Sequence, residues 1–185
     1  YTGIVSIFGW GFMALLPVVA ADVFGYGADG LGYLFAAIGI GAVVSSVLIS
    51  SVYHSKGLRM FVIGGNVLLA LSLAAFSLMT NLWWGFAVLL VTGFALIGSF
   101  SMVNSALQHY VAESFRGRVM SIYSAFLRGM VPIGSFAVGY LAEATTPQTA
   151  IQVFAVLTLA GGAVAFYWRT HVPHRILMAE ELLRD

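Results

Sequence analysis

The stretch LGYLFAAIGIGAVVSSVLISSV, residues 31–52, decides the architecture: it carries no charge and is built from aliphatic residues, glycine and serine with two aromatic rings. The hydrocarbon core of a bilayer, about 30 Å thick, is crossed by ~20 apolar residues of helix, because lipid offers no partner to an open backbone N–H or C=O. Working outward, five more stretches meet that length, at 2–21, 60–79, 83–107, 119–142 and 149–168, and only one formal charge, Arg128, lies inside the six. The pattern predicts an all-α integral membrane protein, with a six-helix transmembrane domain over residues 1–168 and a tail over 169–185.

Composition agrees. The 185 residues are 61% hydrophobic and 8% charged, where a soluble globular domain carries roughly 25% charged residues. That excludes a water-soluble globule. A net charge of +1, with basic residues scattered singly, excludes a nucleic-acid partner. There is no cysteine, hence no disulfide framework, thiolate metal site or cysteine nucleophile. The chain opens on Tyr1 and turns apolar at once, without a basic leader or small-residue cleavage site, which reads as a cut inside a longer polypeptide.

The turn and polar residues collect in connectors at 22–30, 53–59, 80–82, 108–118 and 143–148. Lys56 and Arg59 lie in the second of these, Arg116 and Arg118 in the fourth, and Arg169, Arg175 and Arg184 in the tail; the first, third and fifth have none. By the positive-inside rule, the even-numbered connectors and both termini face the cytoplasm. Tyr33, Trp83, Trp84, Tyr110, Tyr167 and Trp168, at helix ends, suit the headgroup level, where an amphipathic ring is well solvated on both sides.

Three helix faces are unusual. In the fifth stretch, spacings of three and four collect Ser121, Ser124, Arg128, Pro132, Ser135 and Gly139 on one stripe. An arginine near mid-span costs at least ~2.5 to 3.5 kcal/mol on insertion scales. Either it faces a watery cavity, or it snorkels to the cytoplasm or pairs with a carboxylate of another helix to hold the bundle. The fourth stretch sets Gly98, Ser101, Asn104, Ser105 and Gln108 together, either lining the same cavity or gluing helices. The second sets Gly32, Ala36, Gly39, Val43, Ser46 and Ser50 on one side, a small-residue surface that favours close helix packing. Pro17 and Pro132 bend their helices by removing a donor, and Gly129 and Gly134 loosen the fifth around Pro132, as gating requires.

No carboxylate lies deep in a span, so a proton relay within these helices is not expected. His54, His109, His171 and His174 fall in connectors or tail, and His171 with His174 lacks a third ligand nearby, so no metal site is predicted. No Walker-type or G-x-G-x-x-G loop occurs, and no nucleophile, base and orienter converge, so neither ATP-driven transport nor enzymatic activity nor a cofactor is expected.

The segment Glu113-Ser-Phe-Arg116-Gly117-Arg118-Val-Met-Ser121 is similar to the R-G-R-x-M-S entry to helix eleven of major facilitator superfamily transporters. The connector 53–59, holding Lys56, Gly57 and Arg59, resembles a degenerate copy of that superfamily's basic loop motif, without its aspartate. Gly129-Met-Val-Pro132-Ile-Gly134 is a loose relative of the antiporter glycine-proline motif. The whole chain thus resembles the carboxy-terminal half, helices seven to twelve, of such a transporter, in the branch of enterobactin exporters and macrolide efflux proteins.

That resemblance implies two three-helix inverted repeats, a partner half of six helices in the same polypeptide, a bacterial inner-membrane location, and efflux of an amphipathic or anionic small molecule by alternating access. Helices one, two, four and five would then line the cavity, and position along them sets Trp10, Phe100, Ser101, Asn104, Tyr123, Ser124 and Arg128 on the substrate path. The resemblance assigns Lys56, Gly57, Arg59, Arg116, Gly117, Arg118, Gly129, Pro132 and Gly134 to conformational change. The alternative class is a self-contained six-helix channel or membrane assembly subunit.

Overall fold

The computed structural model describes residues 2–51 and 55–171, with side chains for 2–49, 63–108 and 111–167. All elements among them are helical: α1 Thr2–Val23, α2 Gly27–Ser51, α3 Ser55–Ser77, α4 Leu82–Tyr110, α5 Glu113–Gly129, α6 Val131–Ala144 and α7 Pro147–His171. The segments Thr2–Val23, Gly27–Ile49, Leu82–Gln108, Glu113–Ala144 and Pro147–Tyr167 are long and apolar enough to cross a membrane, and α3 contributes the shorter apolar helix Ile63–Ser77. Tyr53, His54, His174, Arg175 and Arg184 lie outside the described residues.

Two expectations are corrected. The fifth span is two helices, α5 and α6, meeting at Met130, because Pro132 has no N–H to give the Arg128 carbonyl and its ring crowds that turn. Helices run past the apolar runs: the connector expected at 108–118 shrinks to Val111 and Ala112, so Arg116, Gly117 and Arg118 are helical. Lys56, Gly57 and Arg59 likewise sit in the first turns of α3 rather than in a loop. Hydropathy detects only the part of a helix that lies in lipid, and charged residues prolong a helix into water without breaking it.

On α2, Gly32, Ala36, Gly39, Val43 and Ser46 are exposed, and a Cβ on Gly32 or Gly39 would meet nothing within 4 Å among the described residues. The face that packs is Leu34, Ala37, Ile38, Gly41, Ser45 and Ile49, all buried. It presses so closely on α4 that a Cβ on Gly41 would collide with the Leu90 carbonyl, and one on Gly93 with the Ile38 carbonyl. Both stripes of α2 are rich in small residues, but only the second carries Leu34 and Ile38 to bury beside them.

Helix α4 packs between α2 and α3, α3 packs on α7, and α7 on α6, with α1 touching α2, α5, α6 and α7. Phe12, Leu16, Leu34, Leu69, Leu73, Phe76, Leu89 and Leu96 form the fully shielded interior. The Asn66 amide donates to the Thr158 carbonyl at 3.1 Å, tying α3 to α7, and Gly162 leaves room for that amide. Bundle pairs of this kind depend on close approach, since lipid is as apolar as the side chains and supplies no hydrophobic drive.

Helix α1 departs from α geometry over much of its length, with π turns at Val5–Gly9 and Val19–Val23 and a 3-10 turn at Phe12–Leu15. Pro17 accounts for the tight turn: it cannot donate to the Met13 carbonyl, which accepts instead from the Leu16 N–H. At the far end, Phe24 N–H bonds Val19 O at 3.0 Å and Tyr26 N–H reaches back to Ala20 O at 2.9 Å across Gly25, whose φ of 75° closes the helix as a left-handed cap. Asn81 caps α4 by accepting from Trp83 N–H at 2.9 Å.

Candidate functional site

Three of the residues expected along the substrate path come together. The rings of Trp10 on α1 and Phe100 on α4 lie 6.0 Å apart with a 56° tilt. The Tyr123 hydroxyl on α5 donates to the Phe100 carbonyl at 3.3 Å. Trp10 is half-buried, whereas Phe100 and Tyr123 are buried. Side chains from α1 and α5 therefore converge on Phe100, and the Trp10 and Phe100 rings are tilted so that edges meet faces.

Ser101 and Asn104 continue along α4 from Phe100, both half-buried. Asn104 accepts from the Gln108 amide at 3.1 Å, a pair one turn apart on the same helix. Ser124 and Arg128 are exposed on α5, with Ser121, whose hydroxyl is turned back to the Gly117 carbonyl at 2.9 Å. No ion pair involving Arg128 occurs among the described residues, and it stands in the last turn of α5, where a cation complements the helix dipole.

The glycines assigned to conformational change divide by environment. A Cβ on Gly117 or Gly129 would meet nothing within 4 Å. Gly134 is buried, and a Cβ there would collide with the Ile7 carbonyl of α1. Gly11 lies against the Gly134 backbone, so α1 and α6 cross main chain to main chain beside the aromatic cluster. Pro132 and Gly129 remain exposed at the α5–α6 break.

Sequence reasoning missed Ser6, which is fully buried on α1, and missed that Gly9 and Gly11 flank Trp10 at its helix crossings. A glycine on each side of a membrane tryptophan was the available signal, since only helix contacts demand such small neighbours.

An all-helical bundle of membrane length, with a charged and hydroxyl-bearing face on one uncovered span, is the architecture of an integral membrane protein. The chain belongs to the transmembrane secretion effector family, whose model matches residues 3–180. Membership gives it a general role in membrane transport. No curated protein and no solved structure matches the chain.

Proposed function

We propose that the chain is one six-helix half of an efflux carrier in a bacterial inner membrane, exporting amphipathic or anionic small molecules by alternating access, with its carboxy terminus cytoplasmic. The observation that carries this reading is the state of the span Glu113–Ala144. It is apolar enough to cross a membrane, yet only 11% of its most apolar window is buried within the chain. Ile122, Phe136 and Tyr140 are 60%, 79% and 70% exposed, alongside Ser121, Ser124 and Arg128. Lipid accepts the first three and not the arginine. A span with both needs water along one side and apolar cover along the other, which a second bundle enclosing an aqueous path supplies.

The uncovered small-residue stripe of α2 supports the same picture, since Gly32, Ala36 and Gly39 suit close contact with a helix from another bundle. Within such a carrier, Arg128 contacts an anionic group of the substrate or an opposing carboxylate. The α5–α6 break lets the span flex, and the basic first turns of α3 and α5 take part in the rocking motion.

Expression of the full-length protein in a strain stripped of its efflux pumps tests this. Accumulation of lipophilic drugs and catecholate siderophores is compared between wild type and Arg128→Ala at equal membrane abundance. Lower accumulation with wild type, restored by the substitution, supports the carrier. Unchanged accumulation of every compound moves a self-contained channel or assembly subunit ahead, with the α2 stripe as its contact surface.

A further inference from the structure

The connectors 22–30, 80–82 and 143–148 lie at one end of the bundle and hold Asp22, Asp29 and Glu143, with no lysine, arginine or histidine among them. Asp29, in the first turn of α2, is exposed and has no basic partner in these connectors. At the same end the rings of Tyr33 on α2 and Trp83 on α4 stand 5.9 Å apart with a 41° tilt, although 48% and 63% exposed. Two rings from different helices, open to their surroundings and set against each other, make a fixed aromatic surface. Trp84 is 69% exposed and makes no ring contact among the described residues.

Asp29 and Tyr33 are four residues apart in continuous helix and so share a face. A helical side chain leans over the turn before its own, which carries the Tyr33 ring toward Asp29. A carboxylate beside two ring faces suits an organic cation, since it supplies the opposite charge and the faces of Tyr and Trp attract an ammonium. Below the pair, Ile40 and Val44 continue the Tyr33 side of α2, seven and eleven residues on, and both are exposed. Gly32 and its small-residue stripe lie about 100° round the helix from Tyr33. Small residues suit a neighbouring helix, whereas bulky aliphatic ones suit lipid chains.

We infer that Asp29, Tyr33 and Trp83 form a lipid-headgroup site: the ammonium of a phosphatidylethanolamine-type lipid rests against the Asp29 carboxylate and the two ring faces, with an acyl chain along Ile40 and Val44. Charge complementarity selects this occupant, because an anionic headgroup would bring a second negative charge to Asp29. The site lies on an open surface and needs no cavity. It stands apart from the carrier reading and requires only that the bundle sit in a bilayer. An ordinary aromatic belt anchors helices at the interface without choosing among headgroups; this site chooses.

Native mass spectrometry of the purified full-length protein, titrated with dioleoyl phosphatidylethanolamine or dioleoyl phosphatidylglycerol, gives the apparent affinity for each lipid. Wild type is expected to favour the ethanolamine lipid about fivefold. Asp29→Asn and Trp83→Leu each lower that ratio at least ~2-fold. Trp84→Leu, which removes the lone ring, and Glu143→Gln, which removes a carboxylate from the same end, leave it at the wild-type value.

A wild-type ratio of one overturns the inference. So does binding of neither lipid, which assigns the face to cover by another bundle. A ratio unmoved by Asp29→Asn overturns it whether or not Trp83→Leu folds. An equal fall with Glu143→Gln overturns it as well, because general repulsion of the anionic lipid then accounts for the preference. An equal fall with Trp84→Leu marks a belt without a site and has the same force. Efflux measurements bear on the carrier reading alone.

Discussion

Gly11 of α1 and Gly134 of α6 touch main chain to main chain: a Cβ on Gly11 would stand 2.8 Å from the Gly134 carbonyl carbon. This crossing holds Trp10, the residue before Gly11, at its place beside Phe100. Enlarging either glycine forces the two helices apart. Gly134→Val is expected to destabilise the bundle by about 3 kcal/mol and to lower the yield of monodisperse protein on size exclusion. Gly129→Ala, where a Cβ meets nothing, is expected to be neutral or to raise the melting temperature slightly.

The contact between α3 and α7 makes a prediction about coupling. A Cβ on Gly162 would strike the Asn66 amide, which is bonded to Thr158. Asn66→Ala alone loses a hydrogen bond worth about 0.6 to 1.7 kcal/mol in a membrane bundle. Gly162→Ala alone costs more than it does in the Asn66→Ala background, since that background removes the atom in the way. Thermal unfolding of the two single variants and the double variant gives the coupling, and strict additivity would refute it.

Pro132 separates α5 from α6, and its replacement returns a donor to the Arg128 carbonyl. Pro132→Ala is expected to join the helices, raise the melting temperature and slow transport several-fold at equal abundance. Faster transport, or a lower melting temperature, would show that the break is not what lets the span flex.

Arg128 is exposed and has no ion pair among the described residues, so its removal costs little stability. Arg128→Ala is expected to change unfolding by under about 0.5 kcal/mol while abolishing efflux. Arg128→Lys keeps the charge without the planar fork and retains part of the activity for anionic compounds. A large loss of stability in Arg128→Ala would instead assign the residue to holding the bundle.

Much of the fold was legible because a bilayer imposes one requirement, continuous helix with apolar side chains, that any reader of the sequence can apply. The stretches 31–52 and 83–107 declared themselves that way, and α2 and α4 follow. The ends did not: Arg116 and Arg118 look like a loop by hydropathy and form helix, because local hydrogen bonding continues in water. Of the candidate site, Trp10, Phe100 and Tyr123 were named from helix position, and their convergence needed coordinates.

What the sequence alone determined is therefore the class of solvent and the helices, both consequences of composition along a single chain, while the resemblance to a family rested on motifs such as Arg116-Gly117-Arg118. The tertiary structure decided which face of each helix meets another. Helix α2 offers two stripes of small residues, and only three-dimensional packing against Leu90 and Gly93 selects Gly41 over Gly39. Ser6 likewise reads as one more small residue until its neighbours are in place, because whether a hydroxyl is satisfied depends on atoms far away in the chain.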